Sequence, residues 1–574
     1  MFYLNVDAQD YSKYRLCSDL DTINLEEPER IKGLFTGQLV TIKDNNIIPK
    51  GKIIFPEKIV GELELFSKYK FKPNKKGVPS YIFKPIDRKY PKCLVCSTVK
   101  RKYESNIIVT VDYTNWDKKD TFAHGNINNI LGSINDLKAI QESILLKYDL
   151  RVFNLKYQFK HIPLLFDSIL KNTNNRELIK KDIISIDPEG CRDIDDALSI
   201  YKEKNMVVID IHIADVYYLL KKLNMLDLVQ NITSIYLTDY IKHMLPTIIS
   251  SKYGSLIEKE IRLMLSIEIK YDTINKIIYS SRLRKTYGKI TKNYSYDNYP
   301  KRYFKYAPII KDVYKLITHQ EIIIEDSHKL IEALMIIYNT EFCNILSKEN
   351  KSPIYRIQEQ NNLSYVPIGN VKLDNFLSII RSRCAQYSFE KNTHISLGIN
   401  NYCHATSPLR RLADLINQEI FYTKTNTIIN RLEENTNHHS VYSKNNGLDY
   451  INQYNQNLKK AYRDIHKLVL AYKVYTSNEY SSSCFIYDAD IESNKLFLYF
   501  PEEKVTIRTS IIHNKINHIY DIKIEDKKIL IINNDKVITT LLLYQLEKVK
   551  INGKPNIHLP DKSIIIQFDN LALE

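Results

Sequence analysis

Apolar and polar positions alternate strictly along VVIDIHIADV (Val207–Val216). Read as a strand, this puts Ile209, Ile211 and Ile213 on one face and Asp210, His212 and Ala214 on the other. Upstream, the short apolar run Ile183–Ile186 also reads as a strand, and Asp187-Pro188, then Gly190, turn it into a loop. From Gly51 to about Asp136, short β-rich runs alternate with turn residues, the pattern of a small OB-type barrel. The period changes in HKLIEALMIIYNTEFCNIL (His328–Leu346), where Leu330, Leu334, Ile337 and Phe342 form one helical stripe. A long helix is expected over about Leu448–Tyr475, then a β-rich region, Ser482–Glu574, while the polar stretch Lys424–Asn446, with His438 and His439, reads as a surface loop. In YCHATSPLRRLADL (Tyr402–Leu415), Ser407 is placed to cap a helix starting at Pro408, whose missing amide hydrogen costs nothing at that position.

The loop after Ile186 holds the densest chemistry. SIDPEGCRDIDDAL (Ser185–Leu198) brings Asp187, Glu189, Asp193, Asp195 and Asp196 into ten residues with one cation, Arg192. Two carboxylates a few ångströms apart repel by roughly 3 kcal/mol at an effective dielectric near 20, so a folded cluster needs cations or protons. Mg²⁺ is bound by oxygen ligands of this kind and keeps positions open for water and phosphate. By spacing alone, a solvated acidic loop is an equally good reading. In the second motif, Arg410 in a first helical turn would let a guanidinium and helix-end amides converge on a phosphate. Arg411 and Asp414, three apart, either pair on that helix or share the task.

Composition narrows the partners. The chain has 574 residues, enough for three or four domains, with 82 Lys plus Arg against 67 acids, a balance of +15 suited to a polyanion. No apolar run approaches the roughly 18 residues that span a bilayer, and MFYLNVDAQDYSKYR has no signal-like apolar core. The expectation is an intracellular, cytoplasmic protein without a membrane partner. Eight scattered Cys suggest free thiols, and Cys93 and Cys96 read as two residues of a strand rather than half a zinc site.

The two motifs together resemble the ribonuclease II / ribonuclease R (RNB-domain) family of 3′→5′ exoribonucleases. Its D-x5-D-x-D-D signature falls on Asp187, Asp193, Asp195 and Asp196, and its H-F-T-S-P-I-R-R-Y-x-D-L motif on His404–Leu415. The strand HIADV, with His212 and Asp215, and ITSIYLTDYIKHMLP (Ile232–Pro246) also follow it. IFKPIDRKYPKCLV (Ile82–Val95), Trp116, His124-Gly125 and Leu131-Gly132 resemble its second cold-shock domain, and LFTGQLVTI (Leu34–Ile42) the end of its first, with Gln38 where an Asp is usual. Trp116 and His212 are expected in structural roles.

The resemblance implies a multidomain α+β architecture: an RNB-type catalytic α/β domain flanked by OB-fold barrels. Its expected parts are a truncated first cold-shock segment (1–48), a cold-shock barrel (49–150), the catalytic domain (151–475) and a weakened C-terminal RNA-binding barrel (476–574). It implies hydrolysis of single-stranded RNA to nucleoside 5′-monophosphates, with Mg²⁺, or Mn²⁺ as substitute, held by Asp187, Asp193, Asp195 and Asp196. Asp195, Arg410 and Glu332 are the implied catalytic residues, and Tyr236, Arg410 and Arg411 the RNA contacts. Association with an RNA-decay complex is compatible with it, with no partner identified. Three departures stand out. The family's G-A-L-x-F hairpin is missing between Ser281 and Glu332, Tyr287 and Tyr294 compete for a second family tyrosine, and the stretch from Arg356 to Cys384 is short. These losses keep open an alternative, a catalytically weak or inactive RNA-binding regulator on the same scaffold.

Overall fold

The computed structural model describes the chain apart from residues 1, 8–12, 18–21, 24–30, 32, 44–45, 118, 151–159, 361–366, 424, 426, 438–446, 478, 511–520, 526, 534–535 and 569–574. The pair His438 and His439 therefore lies outside the described residues. Two compact units emerge, one of residues 1–151, 367–376 and 455–574, the other of 152–366 and 377–454.

The first unit carries the small β domains. At the N-terminus five strands pair in the order Thr22–Ile23, Tyr14–Cys17, Phe2–Val6, Leu39–Lys43, Asn46–Pro49. Among the described residues the expected remnant thus keeps five strands, paired as one sheet. None exceeds five residues. Gln38 is buried there, and its side-chain oxygen accepts the Ile54 amide at 3.2 Å. The next five strands, between Ile59 and Ser133, close a barrel, as their alternation requires. Trp116 packs in its core beside Phe35, and Cys93 is buried while Cys96 is exposed on the same strand. The C-terminal region forms a five-stranded and a three-stranded sheet over one apolar core.

The expected boundary at 475 falls inside a single helix, Gly447–Thr476, whose far end puts Leu470, Ala471 and Val474 into the C-terminal core. Residues 367–376 join the same unit because Phe376 stacks on Tyr499 at 3.9 Å and Lys372 pairs with Glu502 at 2.7 Å. Part of the stretch read as a polar loop is a helix, Thr427–Asn437, with Ile428, Ile429 and Leu432 buried.

The second unit is built on a closed five-stranded barrel: β1 (Glu177–Asp187), β2 (Asp196–Glu203), β3 (Met206–Ala214), β4 (Ile261–Asp272) and β5 (Ile277–Ser295). Parallel pairing of β1 with β5 closes it, setting Ile186 against Tyr294 and Asp187 against Ser295. Both faces of β3 are buried. On the polar face His212 lies between the Ser199 hydroxyl (3.0 Å from Nε2) and the Ser266 hydroxyl (2.6 Å from Nδ1). Ser199 donates to the Asp182 carbonyl, so it accepts from His212 Nε2–H, and Nδ1 accepts from Ser266. Burial, with Arg284 nearby, pulls the imidazole down to about 3 and keeps it neutral. Asp215 caps the following helix and receives Arg176 and the Tyr422 hydroxyl.

Helix α1 (Ser327–Lys348) buries Leu330, Leu334, Ile337 and Phe342, as its stripe requires. It is long and apolar enough to cross a bilayer, contrary to the expectation that no segment is, and 67% of its most apolar window is buried inside the body. A buried core helix passes the same test of length and apolarity.

Candidate active site

The acidic loop joins the end of β1 to the start of β2. Asp187 is the last residue of β1, Asp196 the first of β2, and Asp193 and Asp195 lie between them. Gly190 turns the loop at φ +76°, a conformation that L side chains rarely adopt, and the Cys191 amide bonds back to the Pro188 carbonyl at 3.1 Å. Ile194 faces the core, 4% exposed; its amide donates to the Ser255 hydroxyl and its carbonyl accepts the Leu256 amide. That anchor sends Asp193 and Asp195, its neighbours on either side, into the site.

Each carboxylate meets a different partner. Asp195, 2% exposed, accepts the Leu409 amide at 2.8 Å and Arg410 Nε at 3.1 Å. Asp193 accepts the Tyr236 hydroxyl and, at 3.6 Å, the Cys191 thiol. Burial and the neighbouring carboxylates push that thiol up to about 12, so it stays protonated. Asp187 Oδ2 is buried with no hydrogen-bond partner. Burial drives Asp187 up to about 6 and Asp195 to about 7, and raises Asp196 well above the carboxylate range, with Arg410 opposing the shift in all three.

Arg410 reaches the acids from an unexpected backbone. Ser407 caps no helix at Pro408: residues 408–410 form a turn, Arg411 a single bridge residue, and α2 begins at Leu412 (Leu412–Thr423). The cause is pairing across the fold. The Ser234 amide donates to the Arg410 carbonyl and the Leu412 amide to the Ile232 carbonyl, both at 3.0 Å, which pairs Arg411 with Thr233 in an isolated antiparallel bridge. Ser407 instead receives Arg410 Nη2 on its hydroxyl at 2.9 Å and donates its amide to Asp414 at 2.8 Å. Arg410 is positioned by this strand-like bridge rather than by helix-end amides, and its side chain keeps 42% exposure. Arg411 pairs with the buried Asp414 at 2.8 Å, the structural alternative set out above.

Tyr236, read as an RNA contact, has its hydroxyl on Asp193 and is 41% exposed as a residue. Glu332 does not join the acids through any described contact. It lies on the exposed face of α1, bound to Lys329 Nζ at 2.7 Å. The two competing tyrosines, Tyr287 and Tyr294, fall at different places on β5. Register sets Tyr287 opposite Leu178, nine positions from Asp187, and Tyr294 lies beside Arg302 and Tyr303. Tyr296, which sequence reasoning missed, donates its amide to the Asp187 carbonyl at 3.2 Å. Its phenol is pushed to about 12 by burial and by Asp196 and Asp187.

The donor set suits a hard divalent cation: oxygen ligands, one orphaned buried carboxylate oxygen, and three carboxyls raised chiefly by burial. Among the described residues no three such side chains already converge as a ready ligand shell. Two of the acids are instead turned to Arg410 and Tyr236.

The end of this β-barrel gathers four aspartates and an arginine, in a chain that also carries a cold-shock-type barrel. The RNB domain family matches residues 175–305 and 307–426, and the Dis3-like cold-shock domain 2 (CSD2) family matches residues 80–149. The likeness extends to ribonuclease R. The chain is 25% identical to ribonuclease R of Mycoplasmopsis pulmonis over 47% of each chain. Its fold matches the Mycoplasma genitalium RNase R solved with ribose-methylated single-stranded RNA, with a TM-score of 0.72 at 17% identity over 99% of this chain and 100% of that one. Yeast Ssd1, a pseudonuclease, shares the fold with a TM-score of 0.65 at 12% identity, covering 100% of this chain and 97% of its own. The chain spans about half the length of the curated ribonuclease R that it matches.

Proposed function

We propose that this chain is an exoribonuclease that hydrolyses single-stranded RNA from the 3′ end, releasing nucleoside 5′-monophosphates. The observation that carries the reading is the meeting of Asp187, Asp193, Asp195, Asp196 and Arg410 at one end of the barrel, with an orphaned carboxylate oxygen among them. The four aspartates would hold Mg²⁺, or Mn²⁺ in its place. Once bound, the ion supplies an activated water and neutralises charge on the leaving 3′ oxygen.

The chain's own residues do the rest. Arg410, braced by Asp195 and Ser407 yet still partly exposed, offers its guanidinium to the scissile phosphate. Tyr236, exposed as a residue, offers its ring to a base while its hydroxyl stays on Asp193, so stacking and the acidic site are held in one register. Hydrolysis breaks the P–O3′ bond; the phosphate leaves on the released nucleotide and the 3′ oxygen takes up a proton. The eight cysteines are all free thiols, which fits action in the reducing cytoplasm.

The rival reading, an inactive RNA binder, draws on the pseudonuclease that shares this fold. Against it stands the cost of burying three carboxyls with little positive charge beside them, which a protein that only binds a polyanion has no use for. The deciding experiment incubates the purified chain and its Asp195→Asn variant with 5′-labelled single-stranded RNA, with and without Mg²⁺. Metal-dependent shortening from the 3′ end that the variant loses supports the nuclease. Binding by both proteins with no cleavage in Mg²⁺ or Mn²⁺ makes the chain a binder.

A further inference from the structure

A second concentration of chemistry lies on the flank of the barrel, away from the acids. β1 and β2 are in register only at Ile184 with Leu198, and the register of β1 with β5 shifts between Ile179 and Ile183 and again at Ile184. Around Asp182 the strands are bridged by a side chain, the Ser199 hydroxyl donating to the Asp182 carbonyl at 2.7 Å. A cleft of about 290 Å³ opens at this irregular seam, and the short helical turn Lys301–Tyr306, which follows β5, lines it together with β1 and β2. Asp182 stands five residues before Asp187 on β1, and Tyr201 five residues after Asp196 on β2. At about 3.3 Å per residue, each is roughly 16 Å along its strand from the acids.

Four cations, Lys181, Lys202, Arg302 and Lys305, line the cleft against one acid, Asp182. Arg302 and Asp182 are 3.7 Å apart with both side chains 61% exposed, so this contact does little to hold the guanidinium. The cations lie against aromatic rings. Lys181 Nζ sits 4.7 Å from the Tyr201 ring centroid and Lys305 Nζ 5.0 Å from that of Tyr306, and Arg302 Nη2 donates to the buried Tyr303 hydroxyl at 3.4 Å. Tyr201 and Tyr306 are half-buried, so each keeps part of its side chain open to the cleft. A volume at the small end of ligand pockets, which run from about 300 to 1,000 Å³, admits one nucleotide rather than a strand.

We propose that this cleft is a second nucleotide site, separate from the acidic one, which takes a 5′-phosphate on the cations and a base against Tyr201 and Tyr306. A nucleotide carries both halves of what the cleft offers: charge-assisted hydrogen bonds to phosphate and an aromatic face for the rings. Inorganic phosphate leaves the rings unused, and a nucleoside leaves the cations unused. The acidic site repels an anion unless metal is present, whereas this cleft attracts one without metal. Two sources present the same chemistry, the monophosphates released from RNA and the free nucleoside triphosphates. The site holds whether or not the acids cleave RNA.

The test is calorimetric titration of the full chain in EDTA with adenosine 5′-monophosphate, adenosine triphosphate, adenosine and inorganic phosphate. One nucleotide should bind per chain, more tightly than adenosine or phosphate. Tyr201→Leu, which keeps apolar bulk without the ring, should weaken binding about 5- to 150-fold, and Tyr201→Phe should retain it. Lys202→Glu and Lys305→Glu alter exposed side chains and should each weaken it about 10-fold or more. Arg410→Ala, at the distant acidic site, should change it by less than about 2-fold. Tighter binding of the monophosphate assigns the occupant to the product of RNA hydrolysis, and tighter binding of the triphosphate to the free nucleotides; either supports the site. Three results overturn it: no binding of either nucleotide, phosphate binding as tightly as both, or binding lost in Arg410→Ala and intact in the cleft variants. A single-stranded oligoribonucleotide held by Lys202 and Lys305 more tightly than either nucleotide also rejects it, making the cleft part of an RNA track.

Discussion

Arg410 Nε lies 3.1 Å from Asp195 Oδ2 although 215 residues separate the two in the chain, and the Leu409 amide holds the other oxygen of the same carboxylate at 2.8 Å. One buried aspartate thus joins the two sequence motifs into one site. Asp195→Asn keeps an acceptor for the Leu409 amide and removes the charge facing Arg410. Cleavage of single-stranded RNA should fall by about 100-fold or more, with the melting temperature within a few degrees of wild type. Single-turnover kinetics and thermal unfolding of the same preparations check both halves.

Arg410→Lys retains the charge and loses the planar fork that spans Asp195 and Ser407. A rate loss of about 10-fold or more is expected, with RNA affinity changed much less. Recovery of full activity by lysine would show that a point charge suffices.

Metal should stabilise this protein in a pH-dependent way. Asp187 and Asp195 are held near 6 and 7 by burial, so between about pH 4 and 7 the folded state binds more protons than the unfolded one. The acids' contribution to stability is present at low pH and is lost as pH rises through that window. Mg²⁺ should therefore raise the melting temperature more at pH 8 than at pH 5. Asp187→Asn should raise the metal-free melting temperature at pH 8 by a few degrees and reduce the Mg²⁺ response. A Mg²⁺ shift that is equal at both pH values would contradict this.

His212 titrates in the opposite sense. Its folded value, near 3, lies below the ordinary value of about 6.5, so its contribution is present above pH 6.5 and lost as pH falls toward 3. His212→Gln should destabilise at pH 7 by about 1–3 kcal/mol, from the broken Ser199 and Ser266 hydrogen bonds. The deficit relative to wild type should shrink by pH 4.5 in denaturant titrations.

Glu332→Gln should leave turnover within about 2-fold of wild type, because the carboxylate is half-exposed and pairs with Lys329 on its own helix. A loss of 10-fold or more would bring Glu332 back to the substrate end.

The acidic cluster and the α1 stripe were legible in the sequence because both are local. D-x5-D-x-D-D fits in one loop, and a helix repeats its face every three or four residues whatever surrounds it. Strand alternation likewise placed His212 correctly, though not the burial of both faces of β3, which depends on what packs outside the barrel.

What lay beyond the sequence was everything set by barrel closure and by pairing between distant segments. Whether Tyr287, Tyr294 or Tyr296 meets the acids depends on the parallel register of β1 with β5, pinned where Asn293 bonds Ser185 across 108 residues. A strand's faces alternate every residue, so a single-residue slip would have chosen differently. Likewise, Ser407-Pro408 is a sound helix start by local rules, yet Ile232 and Ser234 claim the backbone around Arg410 and delay the helix to Leu412. The sequence by itself determined which chemistry is present, since charge density and spacing are carried by the residues themselves. Only the tertiary structure decided which side chains share it, because those distances exist only once the barrel has closed.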